Sequence, residues 1–377
     1  MRPGQHPSEI ENANPGERSV GHPPMMAELG TRRPARRLYG RVVTTPRSDL
    51  DLPDYDDLPR EAGLPASWSV WGDGDARFFG CLNLLTPERT ARAAGLVREG
   101  RVFPLNWSMG LPDPPLFGRA PFRHEVTGGA SSTSHDDVLH GWNTQSSSQW
   151  DGFRHIRNHG TDGTGHYGGV VDDEHGMHHW ARRGIAGRAV LADIGRWRAA
   201  TGRPVRCDEA DPIEPTEIHE CLEHQGTVLE TGDVLLVRFG WIEWYEAQSD
   251  ATRRAIAEVS ALRTPGFRSG EQLARTLWNL HIAAIGCDNP AVEVWPPGAS
   301  STPEHEAAVR ADRSRLHEIF THTILLPLLG LPLGEMWNLD PLADHCATTG
   351  RYECFFTSAP LNLPAGVASP PNALAIV

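Results

Sequence analysis

Three short apolar runs set apart by helix-length segments constrain this chain more than any other feature. Gly184 to Ile194 reads as a turn followed by a buried strand. Thr231-Gly232-Asp233 is a turn feeding the run Val234 to Phe239, and His281 to Asp288 is a third buried strand ending on a carboxylate. Between the second and third runs, Ser269-Gly270-Glu271-Gln272 has capping-box spacing and opens a helix through Leu280. Thr86-Pro87-Glu88 supplies an N-cap, a proline at the first helical position and an acid in the first turn of another helix. That helix is expected to run to Glu99, with Gly100 after it. A last helical region starts at Thr302-Pro303-Glu304 and continues through His317 towards His322. Strands interleaved with helices make the class α/β. Their irregular spacing, with no repeating strand-helix-strand unit, predicts a mixed rather than purely parallel sheet.

Between these elements, Val102 to Trp107 reads as a strand, Pro114 to Arg119 as an extended loop and Ser131 to Gly141 as a polar loop. His124, His135 and His140 fall in these loops and read as surface imidazoles. Residues 1–45 are polar, Pro/Gly-rich and unpatterned, with a basic run at Arg32, Arg33, Arg36, Arg37 and Arg41, and read as a disordered tail. Starts at Met1, Met25 or Met26 are all compatible with it. Residues 46–377 are then expected to form a single catalytic domain. A formal net charge of -13 argues against nucleic acid and acidic membranes as partners and points to a small-molecule substrate. The six cysteines form no CxxC pair and read as reduced core residues of a cytoplasmic protein. The longest apolar run, from Thr323, is too short for a membrane span and is broken by Pro327 and Pro332. The first residues have no apolar segment of the signal-peptide type.

The densest chemistry lies from Asn143 to Gly169. Gln149 and Asp151 stand at i and i+2, so on a strand both side chains leave the same face. Gln145 precedes Gln149 by four residues and His155 follows Asp151 by four, so a turn through Gly152 would bring all of them together. Two readings fit this pattern. Convergent nitrogen and oxygen donors suit a divalent cation, whereas loop amides and carboxylates also serve to satisfy buried backbone groups. His322 and Glu335, which flank the apolar stretch beginning at Thr323, supply an imidazole and a second carboxylate and favour the first reading.

The ordered set Cys81 to Glu88, Ser147 to Gly152, Gly232 to Arg238, Thr264-Pro265-Gly266, Ile285 to Asp288 and Ala359 to Gly366 resembles the cyclase family of metal-dependent hydrolases. Bacterial kynurenine formamidase and isatin hydrolase belong to that family. The resemblance runs from about Tyr55 to Val377 and is greatest to a larger actinobacterial and fungal branch carrying SSQWDGxxH. It implies a mixed, barrel-like sheet with surrounding helices, of the swivelling β/β/α kind, and a homo-oligomer. The family motif HxGTHxDxPxH aligns on Asp151, placing Gln145 and Gln149 where two ligand histidines stand and Phe153 where proline stands, and retaining His155. His322 and Glu335 then match the later ligands, with His317 as a less well-spaced substitute. The resemblance thus implies a divalent ion, zinc or manganese, held in the most economical form by Asp151, His322 and Glu335, with Gln149 and Gln145 as the weaker members of the metal site.

Such a site activates water against an amide, cyclic imide or lactone. His155, titrating near neutrality, is the proton carrier beside Asp151. Trp150, His159, His166 and Tyr167 are the candidate substrate-binding residues. Two other functions are compatible with the residues, a lyase or cyclising activity on the same scaffold and a metal-free small-molecule binding protein.

Overall fold

The three apolar runs lie side by side at the centre of a nine-stranded sheet. The computed structural model describes residues 52–61, 63–72, 74–158, 165–170 and 174–377, and the expected tail of residues 1–45 lies outside them. In chain order the strands of this sheet are β1 (Val102–Pro104), β2 (Gln149–Asp151), β3 (Ile185–Ala192), β4 (Val234–Val237), β5 (Ala284–Cys287), β6 (Leu333–Glu335), β7 (Glu353–Ser358), β8 (Ala368–Ser369) and β9 (Ala373–Ile376). Across the sheet the order is β8-β2-β6-β5-β4-β3-β7-β9-β1. The pairs among β3, β4, β5 and β6 are parallel, and all the others are antiparallel. The sheet is therefore mixed, as the irregular spacing predicts, and it curls into a half-barrel with helices around it. All four residues of β4 and of β5 are buried, which is why both read as unbroken apolar runs.

Register carries the order of this central block out to the polar strand β2. Val190 pairs with Leu235, Leu235 with Ile285, Ile285 with Leu333 and Leu333 with Asp151. Glu335 pairs with Gln149 in the same ladder. Opposed residues share a face and residues two apart share it too, so Gln149, Asp151 and Glu335 project together from one side.

The opposite face is closed by tryptophan. Trp150, which alternates with Gln149 and Asp151, is fully buried and meets the Trp337 ring edge-on at 4.6 Å between centroids. Trp337 lies flat over the paired glycines Gly286 and Gly334, and a Cβ added to Gly334 would stand 2.5 Å from its ring. The Trp337 indole N–H also donates to the Gln149 carbonyl at 2.9 Å. We therefore expect Gly334→Ala to push Trp337 off the sheet and destabilise the fold by about 1–3 kcal/mol, the usual cost of overpacking a filled core. A melting temperature equal to that of the unmodified protein would show that this contact does not limit packing.

Helix starts follow their local signals more closely than helix ends do. Thr86 Oγ1 accepts from Arg89 N–H, with Pro87 in the first turn. That helix, Pro87–Ala94, stops five residues before Glu99, because the N–H groups of Glu99 and Gly100 pair with the Val377 carbonyl instead of continuing the helix. Glu271–Asn279 begins at Gly270, whose N–H donates to Thr321 Oγ1. The capping box expected from Ser269 does not form, and Ser269 Oγ is buried without a partner. The last helical region divides at Asp312 into Pro303–Ala311 and a 3-10 helix Arg313–Glu318, because Asp312 leaves helical angles and caps Ser314.

The segment read as a polar loop from Ser131 is in part a strand. Arg123–Thr127 and Asp136–His140 form an exposed hairpin, knit by contacts of His124 Nε2 with Asp137 Oδ1 at 2.6 Å and of His140 Nε2 with Glu125 Oε2 at 2.9 Å. Cross-strand polar pairs rather than apolar alternation hold it, so the usual strand signal is weak there. All six cysteines are buried and free. Among the described residues no helix is long and apolar enough to cross a membrane.

Candidate metal centre

Asp151, His322 and Glu335 come from three elements and converge. β2 delivers Asp151, β6 delivers Glu335, and the short helix His322–Leu325 places its first residue against them. One ligand atom from each lies within 4.8 Å of the others, and all three residues are buried. His322 Nε2 is 3.0 Å from Glu335 Oε1. The two glutamines complete the wall. Gln149 donates to Glu335 Oε2 at 2.5 Å and to Asp151 Oδ1 at 3.2 Å. Gln145 donates to Asp151 Oδ1 at 2.8 Å and lies 3.1 Å from His155 Nδ1. His155 Nε2 is 3.6 Å from Asp151 Oδ2, beyond hydrogen-bond length.

These donors fit a divalent cation. An imidazole nitrogen and two carboxylates are a common ligand set for zinc and related metals. Asp151 Oδ2 and Gln149 Oε1 are buried yet accept no hydrogen bond from the described residues. Unsatisfied buried oxygens are unfavourable, and a cation at this point would satisfy them.

The electrostatics point the same way. Burial raises the Glu335 pKa to about 7, and the neighbouring Asp151 charge adds to the rise. Burial opposes a charge on His322, but the carboxylates of Glu293 and Glu335 on either side outweigh it and raise that pKa to about 10. The cluster thus attracts positive charge strongly. Burial lowers the pKa of His155, with Asp151 acting in the opposite direction, so this ring stays neutral at neutral pH.

Two residues of this arrangement were not singled out by the sequence. Glu293 accepts from the N–H groups of Thr321 and His322 at 2.8 and 3.0 Å, and its Oε1 meets His322 Nδ1 at 2.6 Å. A carboxylate behind an imidazole fixes its tautomer and turns the other nitrogen towards the metal. Glu293 follows a buried Ala291-Val292 pair and matches no motif, so its only signal was a charge in an apolar setting. Arg119 donates to the Gln145 carbonyl at 2.5 Å and lies close enough to Asp151 and Glu335 for their charges to bear on it. We expect Glu293→Gln to weaken zinc binding about 10- to 100-fold, as loss of such a support does, in a protein whose melting temperature shows it folded. A competitive chelator titration giving unchanged affinity would sink this role.

The remaining expected site residues separate. His155 and His166 line a cleft of about 460 Å³ that opens beside the cluster. Trp150 and Tyr167 do not reach it. Trp150 is turned to the far face by strand alternation and donates to Ser358, while Tyr167 is 1% exposed with its hydroxyl 3.1 Å from Ser67 Oγ. Both are buried in the core and do not line this cleft. His317 bonds the Ser314 carbonyl of its own helix and stays outside the cluster. His159 lies outside the described residues.

The Cyclase family model matches residues 103–294, about half of the chain. A crystal structure of a novel cyclase shares 26% identity at a TM-score of 0.67, over 83% of this chain and 99% of its own. Isatin hydrolase A from Labrenzia aggregata, solved with benzyl benzoate, shares 19% identity at a TM-score of 0.50, over 76% of this chain and 95% of its own. Isatin hydrolase A from Ralstonia solanacearum matches at the same TM-score of 0.50 with 18% identity, over 76% and 95% of the two chains. No curated protein matches. The two isatin hydrolases are similar in fold, and the segment matched by the family model carries Gln149 and Asp151 on β2 together with His155 and Glu293. On the strength of that match the chain belongs to the Cyclase family.

Proposed function

We propose that this protein is a metal-dependent hydrolase of the SSQWDG-bearing branch that cleaves a C–N or C–O bond at the carbonyl of a small amide, cyclic imide or lactone. The observation that carries the reading is the buried convergence of Asp151, His322 and Glu335 with a neutral imidazole, His155, beside them. Asp151, His322 and Glu335 would hold a divalent ion, zinc or manganese, with the Gln149 oxygen as a further neutral donor. Such an ion supplies polarisation of a carbonyl and lowers the pKa of water.

The rest of the chemistry belongs to the side chains. His155 stands at the boundary between cluster and cleft, buried enough to remain unprotonated and exposed enough to meet substrate. It takes the proton from attacking water and returns it to the leaving nitrogen or oxygen. Gln145, bonded to both Asp151 and His155, keeps that ring turned to the carboxylate side. Glu293 holds His322, and the tryptophan layer behind β2 and β6 keeps the carboxylate-bearing strands in register.

The test is metal analysis of the purified protein together with a screen of formamides, cyclic imides and lactones. Hydrolysis should stop on exhaustive chelation and return with zinc or manganese, and the product should contain solvent oxygen from heavy-oxygen water. Full activity in verified metal-free protein would refute the reading. A product without solvent oxygen would favour elimination or cyclisation, and absence of stoichiometric metal would favour a binding protein.

A further inference from the structure

The cleft beside the metal cluster is cationic although the chain carries a net charge of -13. Arg154, Arg157 and Arg313 all line it, together with His166. Its apolar walls are Ile156, Leu316 and Phe320, and the Phe320 ring stacks on His322 at 4.8 Å and 11°. A planar group lying along Phe320 therefore sits next to a proposed metal ligand and within the space that His155 borders.

Among the described residues these arginines lack the carboxylate partners that Arg315 and Arg198 have. Arg315, two residues after Arg313, is paired with Glu318 at 2.7 Å, and Arg198 is locked to Glu217 at the same distance. Among the described residues no carboxylate lies within ion-pair distance of Arg154, Arg157 or Arg313. Asp312, next to Arg313, is committed to capping Ser314. Among the described residues the one side-chain hydrogen bond of Arg157 is to His166 Nε2, at 3.4 Å. Arg154 is tethered to the Ala365 carbonyl, and its Nε is buried with no acceptor among the described residues. A buried guanidinium N–H without a partner is unfavourable, and a ligand oxygen is the acceptor the cleft could admit.

We infer that the substrate is a carboxylate-bearing molecule with a planar apolar body, its carboxylate received by Arg157 and Arg313 with Arg154 behind them and its labile carbonyl directed at His155. This rests on the hydrolase reading for the carbonyl alone, since the anion preference belongs to the arginines. Guanidinium forks match carboxylates in geometry and charge, and such hydrogen bonds are about twice as strong as neutral ones.

The decisive experiment is equilibrium binding of benzoate and of neutral benzamide to the metal-loaded protein, with and without Arg157→Gln and Arg313→Gln together. Both arginines are exposed, so the double variant should keep the melting temperature and metal content of the unmodified protein. Benzoate should bind at least about tenfold more tightly than benzamide, and more weakly as salt rises. The double variant should lose about tenfold in benzoate affinity while benzamide changes by less than about twofold. Because the metal is retained, that difference separates the arginines from direct coordination of benzoate. Equal affinity for the two probes, a preference that survives in the double variant, or no saturable benzoate binding up to about 10 mM would each overturn the assignment. Failure of the hydrolase reading would instead appear as absence of turnover with the binding preference intact.

Discussion

Asp151→Ala is expected to lose stoichiometric metal and at least about a thousandfold in turnover, the consequence of several kcal/mol of lost barrier stabilisation. Asp151 is the point where the other groups of the cluster meet. Gln145 and Gln149 donate to its Oδ1, and its Oδ2 is the orphan oxygen nearest His155. The paired strand position brings it opposite Leu333 in the ladder that also joins Gln149 to Glu335. Removing the carboxylate therefore takes away a proposed ligand and one acceptor each of the buried Gln149 and the half-buried Gln145, so some loss of stability should accompany the loss of metal. Elemental analysis and single-turnover kinetics on the folded variant check the expectation. A variant that retains its metal would show that Asp151 is not a ligand.

The second large effect separates the holder of the metal from the carrier of protons. His155→Ala should lower turnover by about a hundredfold or more while metal content stays near that of the unmodified protein. Its pH dependence follows from the sign of its shift. Burial holds the His155 pKa below the ordinary value, so the basic form persists to lower pH than a free imidazole allows. The acid limb of kcat/KM in the unmodified protein should accordingly fall below pH of about 6.5 and disappear from the residual rate of the variant. Loss of metal from His155→Ala, or an acid limb above the ordinary histidine range, would overturn the assignment.

Local chemistry was legible wherever a short stretch of chain decides the outcome. The apolar runs around Val190, Leu235 and Ile285 are strands because nothing polar interrupts them, and Thr86 caps a helix because its hydroxyl reaches a backbone N–H three residues on. Gln149 and Asp151 share a face because side chains alternate along a strand. The same alternation sends Trp150 to the far side, which its aromatic character alone did not reveal.

What only the tertiary structure decided is whatever depends on distant partners. The helix after Thr86 stops at Ala94 because Glu99 and Gly100 find the carbonyl of Val377, the last residue of the sequence. Glu293 belongs to the site because the chain folds back to set Thr321 and His322 over it, and Arg119 because the Gln145 carbonyl is within its reach. The cationic cleft is likewise invisible in sequence, since Arg154 and Arg157 stand far from Arg313 until β2 and the helical region after Asp312 are brought together. A sequence therefore determines which groups are available and which face each strand presents. Backbone hydrogen bonds and buried charge, satisfied only by long-range pairing, determine which of them meet.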